Sequence, residues 1–173
     1  AHGALAHQMG VFDEEMRVVE LADTGEGWKI VKGDMVSLPS AWEQDYRCMV
    51  EGLRDYMGKT GFKKVLLGLS GGVDSAIVAT IAVDALGAEN VRCVMLPSEY
   101  TSQASLKDAK DIATRLGCHY DIVPIKAGRD AVSETLAPLF EGYASDVTEE
   151  NIQSRLRGLL LMAMSNKFGE MLL

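Results

Sequence analysis

The sequence predicts an α/β fold: a doubly wound parallel sheet with helices on both faces. From residue 65 onward, short apolar runs alternate with helical segments, as they do in successive βαβ units. The first of these runs, residues 65–69, is apolar except for Gly68, which is typical of a strand covered on both faces. Gly87 and Gly117 follow two of the helical segments, where left-handed glycines commonly end helices.

The segment before residue 65 predicts a hairpin followed by a helix. Strand candidates at residues 16–21 and 28–31 flank a turn that contains two glycines. Pro39 then precedes a helix predicted over residues 40–57, which Gly58 and Gly61 are expected to end.

The remaining elements follow from the same pattern. The further strands are predicted at residues 91–96, 120–125 and 172–173. The helices are predicted at residues 73–86, 102–116, 130–141 and 148–168. Ser102 is a candidate N-cap and Pro138 a weak point within its helix. Because the chain stops at residue 173, the sheet is expected to be incomplete at its C-terminal end.

Composition restricts the class of protein. The net charge of −8 argues against a general nucleic-acid surface. No apolar run approaches the roughly 20 residues that cross a bilayer, so no membrane partner is expected. Cys48, Cys93 and Cys118 are far apart and form no C-x-x-C motif, so we expect buried, reduced thiols in a cytoplasmic protein.

The candidate site is the loop between the first sheet strand and its helix, because ligands of such sheets bind beyond the carboxyl ends of the strands. This glycine loop consists of Gly68, Leu69, Ser70, Gly71, Gly72, Val73, Asp74 and Ser75. Its adjacent glycines allow a tight turn, and the helix start offers unpaired amides with partial positive charge. With two serine hydroxyls as further donors, the loop predicts a cradle for phosphate oxygens.

Asp74 is the candidate metal ligand within the glycine loop. A carboxylate beside phosphates is repelled unless a cation bridges them, so we interpret Asp74 as a ligand of Mg²⁺. The loop lacks the lysine of a Walker A motif and the spacing of a G-x-G-x-x-G motif.

The same residues allow two other interpretations. The glycines could form only a tight turn, without a ligand. Residues 68–72 also fit G-x-S-x-G, in which Ser70 would be the nucleophile of a serine hydrolase. That hypothesis requires His119, the only later histidine, together with Asp108 or Asp111 as the acid.

Two further stretches add candidate binding residues. Residues 96–102 read L-P-S-E-Y-T-S, and backbone groups around Leu96 could pair with an adenine edge. On the helix at 148–168, Asn151 and Arg155 are four residues apart and share a face, where they could hold an anionic ligand. Taken alone, Arg155 and Arg157 could equally be charged side chains that face solvent and bind no ligand.

Together these stretches resemble the glutamine-dependent NAD synthetase family, within the ATP-pyrophosphatase superfamily. The shared motifs are S-G-G-x-D-S, then a P-S-x-Y-T-S-like loop, then E-N-x-x-x-R-x-R, in that order within residues 37–173. The resemblance implies an adenine nucleotide alpha-hydrolase-like fold. It also implies the last step of NAD biosynthesis, an ATP-dependent amidation of deamido-NAD through an acyl-adenylate, with ammonia from glutamine.

The resemblance assigns roles to the candidate residues. The glycine loop and Leu96 would bind ATP, and Asp74 would also hold Mg²⁺. Asn151 and Arg155 would contact deamido-NAD, and no protein nucleophile would be needed. The helix at 148–168 would form a homodimer or a higher homo-oligomer.

The resemblance also predicts the domain organisation. Residues 1–36 would be the remnant of an upstream amidase (carbon–nitrogen hydrolase) domain and its linker, and residues 37–173 the N-terminal part of the synthetase domain. Because the family continues beyond this point, these 173 residues alone are expected to be inactive. Another ATP-pyrophosphatase ligase and a non-catalytic nucleotide-binding or dimerisation module remain alternatives.

Overall fold

The computed structural model describes residues 5–173, apart from the side chain of Lys32. Residues 1–4, which belong to the predicted amidase remnant, lie outside the described residues. The chain separates into two compact units, with the boundary between Glu51 and Gly52.

The first unit contains an antiparallel hairpin of β1 (Glu20–Asp23) and β2 (Trp28–Lys32). The turn between them is supported by a hydrogen bond from the Gly25 amide to the Asp23 carboxylate, at 2.9 Å. The predicted start of the first strand at residue 16 was wrong. In the described register, the last residue of β2 pairs with Glu20, so β2 offers no partner to residues 16–19.

Helix α1 (Ala41–Thr60) begins where the sequence predicted but continues past Gly58. A glycine within a helix costs only about 1 kcal/mol relative to alanine, so Gly58 alone does not stop it. Gly61 does, because it has a φ of 82° and its amide donates to the Met57 carbonyl as the helix ends.

The second unit contains the predicted parallel sheet. Among the described residues its strands are β3 (Val65–Gly68), β4 (Val91–Met95), β5 (His119–Ile122) and β6 (Met171–Leu172). Their order is β5-β4-β3-β6, and every neighbouring pair is parallel. The chain therefore moves outward from β3 to β5 and later returns to the other side of β3. The carboxyl end of β3 is thus a topological switch point.

The remaining helices are α2 (Val73–Leu86), α3 (Gln103–Leu116), α4 (Lys126–Leu136) and α5 (Val147–Phe168), with a short 3-10 helix at Ala88–Asn90. The predicted bounds of α2 are confirmed. Ser102 caps α3 by accepting from the Ser105 amide at 3.0 Å. Asp146 and Glu149 form a capping box at the start of α5.

The predictions between residues 120 and 141 were wrong in their bounds. The third sheet strand ends at Ile122 rather than 125, and α4 covers 126–136 rather than 130–141. The Ile125 amide still donates to the Pro97 carbonyl at 3.0 Å, but Ile125 already has helical backbone angles (φ −87°, ψ −5°) as the N-cap of α4, so the helix begins early. Pro138 brings no amide hydrogen for a further helical turn.

Helices cover both faces of the sheet, as predicted, because alternate strand residues point to opposite sides. One core contains Leu67 of β3 and Cys93 of β4, packed against α1, α2 and α3. The other contains Val94, Leu96 and Ile125, packed against α5. Within the described residues, no helix is both long and apolar enough to cross a membrane.

The cysteines only partly fit the expectation of buried thiols. Cys93 is buried and Cys118 half-buried, with their sulfur atoms 3.5 Å apart. Cys48 is exposed on α1, so the expectation was wrong for this residue.

An ion network centred on Arg92 joins the sheet to the end of α5. Its Nε lies 2.8 Å from the carboxylate of Glu170, which is only 5% exposed, and its Nη1 lies 2.7 Å from Asp121. The guanidinium also lies 4.8 Å from the centre of the Phe168 ring. Burial alone would raise the pKa of Asp121, but hydrogen bonds from Arg92 and His119 outweigh it, and the pKa lies below its ordinary value.

We expect Arg92→Met to lower the free energy of unfolding by about 3 kcal/mol, because it removes the arginine from the buried carboxylate of Glu170. The matched control is Arg47→Met, which breaks an exposed pair with Glu43 and should cost at most about 1 kcal/mol. Urea unfolding of both variants measures the difference. Equal losses would contradict a structural role for the Arg92 network.

Candidate functional site

The glycine loop leaves the sheet where β3 ends. Leu69 still follows the parallel ladder, since its amide donates to the Val94 carbonyl at 2.8 Å, and its side chain is buried. Ser70, the next residue, is exposed. The loop therefore opens at the carboxyl edge of the sheet, where the sequence predicted it.

Gly71 brings the loop against α3. It has a φ of 83°, and a β carbon added there would lie 2.4 Å from the carbonyl oxygen of Ser105. A side chain is therefore excluded by both backbone conformation and space. Gly72 follows as the N-cap of α2 and, as a glycine, has no side-chain oxygen to accept from the first-turn amides.

The two serines of the loop hydrogen-bond to the loop itself. The hydroxyls of Ser70 and Ser75 are 3.0 Å apart, and the amide of Gly72 donates to the Ser70 hydroxyl at 3.2 Å. Ser75 also donates to the Gly72 carbonyl at 3.1 Å. These hydrogen bonds stabilise the turn. To bind a ligand, either hydroxyl would have to give up a hydrogen bond within the loop.

A pocket of about 440 Å³ lies beside this loop, between the carboxyl ends of β3 and β4. That volume is in the range of small-molecule sites. The pocket is lined by Gly68, Leu69, Ser70, Val94, Met95, Leu96, Tyr100, Thr101, Ser102, Ser105, Arg157 and Leu161. It therefore unites the first part of the glycine loop with the predicted segment at 96–102.

Arg157 is a pocket residue that the sequence did not single out. Its Nε donates to the carbonyl oxygen of Leu96 at 3.1 Å, and its side chain lines the pocket. From sequence alone it is equally compatible with a charge that faces solvent. Leu161 is four residues later on the same helical face, but only the structure shows that this face of α5 lines the pocket.

Asn151 and Arg155 lie on a different face of α5. Both are exposed, the Arg155 guanidinium donates to the Asn151 carbonyl at 3.2 Å, and neither is among the described residues that line the pocket. Continuing along that face, Leu159 is 63% exposed and Met162 is 48% exposed. Within this unit, the structure places these polar residues on an exposed, partly apolar surface rather than at the pocket.

Asp74 is exposed in the first turn of α2. In the described part of the chain, no cluster of three or more His, Cys, Asp or Glu side chains could hold a metal. Mg²⁺ commonly binds one or two carboxylates together with phosphate oxygens and waters. A single aspartate at a helix amino end therefore fits an ion shared with a phosphate ligand better than an ion held by protein alone.

The serine hydrolase hypothesis for this loop is wrong. His119 stands at the start of β5 and contacts Asp121 at 3.0 Å. In the strand register His119 is level with Leu66, whereas Ser70 lies four residues later in the chain, past the end of β3 and roughly 13 Å further along the strand direction. His119 and Ser70 are therefore at opposite ends of the sheet, too far apart for proton transfer.

Comparisons with known proteins find relatives that cover most of the chain. The model of the family described as NAD synthase matches residues 45–173, well over half of the chain. The glutamine-dependent NAD(+) synthetase of Rhodobacter capsulatus is 58% identical over 171 residues, which cover 99% of this chain and 31% of that relative. The chain thus spans about a third of the length of this curated relative.

Solved structures share the fold. The glutamine-dependent NAD+ synthetase of Acinetobacter baumannii, in complex with ADP, has a TM-score of 0.87 and 42% identity, covering 93% of this chain and 30% of that one. The NH3-dependent NAD synthetase of Campylobacter jejuni, with a nitrate ion, has a TM-score of 0.69 and 28% identity. That match covers 78% of this chain and 56% of the other.

We expect Gly71→Ala to lower the free energy of unfolding by about 3 kcal/mol, because it combines backbone strain with a backbone collision at Ser105. Gly61→Ala is the matched control. Its φ of 82° is similar but it has no atom within 4 Å of the new β carbon, so only the strain of about 1 kcal/mol is expected. Thermal or urea unfolding compares them. A Gly71→Ala variant no less stable than Gly61→Ala would show that the close approach is unimportant.

Proposed function

This chain belongs to the NAD synthase family, and from that membership we propose that it supplies the ATP-binding part of a glutamine-dependent NAD(+) synthetase. The proposed reaction is the ATP-dependent amidation of deamido-NAD to NAD. The observation that carries the proposal is the pocket at the carboxyl ends of β3 and β4, which joins the glycine loop to the backbone at Leu96.

ATP would lie across this pocket. We place the adenine beside Leu96 in the pocket, and the phosphates beyond its Ser70 edge, over Gly71 and Gly72, where the amino end of α2 presents amides and partial positive charge. The structure of the Acinetobacter baumannii relative is a complex with ADP, which supports a nucleotide site in this fold. The remaining loop residues, from Gly68 to Ser75, would shape the turn around the phosphates.

Arg157 would act on the adenine side. By donating to the Leu96 carbonyl, its guanidinium fixes the backbone at the end of β4, while its charge faces the pocket. In this position it would hold the backbone that faces the adenine, and the phosphates would be left to the amides at the amino end of α2.

Asp74 would hold Mg²⁺ together with phosphate oxygens. When bound, such an ion neutralises phosphate charge and orients the pyrophosphate leaving group. The exposed position of Asp74 in the first turn of α2 leaves it free to do so without a protein cage.

The proposed chemistry needs no protein nucleophile. The nicotinate carboxylate of deamido-NAD attacks the α-phosphorus of ATP, the bond between the α-phosphorus and the bridging oxygen breaks, and pyrophosphate leaves. Ammonia then attacks the acyl carbon, loses a proton and expels AMP, which leaves the amide of NAD. The protein supplies position and charge.

Deamido-NAD would bind at the exposed face of α5. Asn151 and Arg155 offer an amide and a guanidinium on this face, and Leu159 and Met162 extend it as an apolar surface. Exposed apolar side chains on a helix favour a covering partner. We therefore propose that this face packs against a second subunit, with the dinucleotide between the two.

Glutamine would be the nitrogen source. The alignment with the Rhodobacter capsulatus relative covers 99% of this chain and so includes most of residues 1–36, the proposed amidase remnant and linker. The hairpin in that part exposes large apolar side chains such as Trp28 and Val31, which supports further packing there. We propose that ammonia released by an amidase domain reaches the acyl-adenylate.

In the complete natural protein, we expect pyrophosphate release from ATP-Mg to require deamido-NAD, and Asp74→Asn to lower kcat/KM by about 100-fold. The matched control is Asp45→Asn on α1, which removes another exposed helical carboxylate and should change the rate by less than about two-fold. A coupled pyrophosphate assay measures both variants.

Two results would contradict this proposal. ATP turnover that ignores deamido-NAD would indicate another ATP-pyrophosphatase ligase. Equal activity of the Asp74 and Asp45 variants would remove the metal role from Asp74.

A further inference from the structure

The segment at 96–102, which forms one side of the pocket, is held by groups from three helices. Arg157 of α5 donates to the Leu96 carbonyl at 3.1 Å. The amide of Ile125, at the start of α4, donates to the Pro97 carbonyl at 3.0 Å. At the other end, Ser102 caps α3. The backbone is therefore fixed at both ends of the segment.

The middle of the segment is a tight turn from Ser98 to Thr101. The Thr101 amide donates to the Ser98 carbonyl at 3.1 Å, and the Ser98 amide donates to the Thr101 hydroxyl at 2.9 Å. The turn places Glu99 and Tyr100 at its tip. Tyr100 lines the pocket yet is 77% exposed, so its ring stands at the pocket mouth.

Glu99 connects this tip to α4. Its carboxylate forms an ion pair with the guanidinium of Arg129, whose side chain is only 17% exposed. The hydrogen bond from Arg129 holds the pKa of Glu99 below its ordinary range, so the carboxylate stays ionised at neutral pH. A second arm of the guanidinium contacts Asp130 at 2.5 Å, which fixes its orientation.

The backbone that carries Arg129 is held in place. Its amide donates to the Ile125 carbonyl at 3.0 Å, and Ile125 is 1% exposed in the core beneath the pocket, beside Val94 and Leu96. The Arg129 guanidinium therefore reaches the turn from a helix whose start is already packed under the same pocket. Movement of the turn tip is restrained by this side chain.

We propose that Arg129 is a positioning residue for the nucleotide: through Glu99 it holds the Ser98–Thr101 turn so that Tyr100 faces the bound ATP. This rests on the proposed nucleotide site, and it assigns Arg129 a role although Arg129 is not among the pocket-lining residues described. An exposed aromatic ring at a pocket mouth can pack on a base or ribose only while the turn keeps it there.

The test measures kcat and both KM values, for ATP and for deamido-NAD, in the complete natural protein. We expect Arg129→Gln and Glu99→Gln each to raise the KM for ATP about five-fold, with kcat and the KM for deamido-NAD within about two-fold of wild type. The double variant should be no worse than either single variant, because both changes break one link. Arg129→Lys, which keeps the charge, should restore part of the lost affinity for ATP.

The matched control is Arg47→Gln, which breaks the exposed pair with Glu43 on α1 and should leave every constant unchanged. Equal effects of Arg129→Gln and Arg47→Gln would overturn the proposal. So would a parallel change in kcat and both KM values, because a general loss of structure moves them together. Additive losses in the double variant would show that Arg129 and Glu99 act separately, and would overturn it as well.

Calorimetric titration with ATP-Mg separates this proposal from the proposed function. Wild-type protein that binds ATP but releases pyrophosphate without deamido-NAD would contradict the proposed reaction. Weaker ATP binding by Arg129→Gln would still support the positioning role in that case. If wild-type protein does not bind ATP, both fail.

Discussion

The approach of Gly71 to the Ser105 carbonyl is the contact on which the rest of the site depends. A turn with a β carbon at this position could not lie so near α3, and α2 could not begin where it does. With glycine there, the buried strand β3 is followed within a few residues by an uncapped helix start. The first-turn amides of α2 therefore gather at the switch point of the sheet, beside the pocket.

Side chains alternate between the two faces of the sheet along each strand, and this alternation decides which helices pack around that turn. Leu67 and Cys93 point towards α1, α2 and α3, whereas Val94 points to the opposite face, towards α5. Because α5 packs beneath the pocket, Arg157 can reach the Leu96 carbonyl. The Arg92–Glu170 ion pair joins the sheet to the chain just after α5, so it stabilises the same arrangement from the far end of that helix.

Much of the site could be predicted from sequence because it depends on local chemistry. The strand, the paired glycines and the bounds of α2 follow from short-range rules, and Leu96 follows from where β4 ends. The features that the sequence did not predict depend on long-range contacts. α4 begins directly after Ile125, which is buried against Val94 and Leu96, and the role of Arg157 depends on its hydrogen bond to the Leu96 carbonyl. Helical spacing alone did not say which arginine of α5 faces inward and which faces out.

The most direct test of the proposed nucleotide site is a crystal structure of the complete natural protein with ATP and Mg²⁺. We expect phosphate oxygens within hydrogen-bond distance of the amides at Gly72 and the first turn of α2, with the ion bound to the Asp74 carboxylate. A nucleotide bound at any other surface, with this turn left without a ligand at saturating ATP, would contradict it.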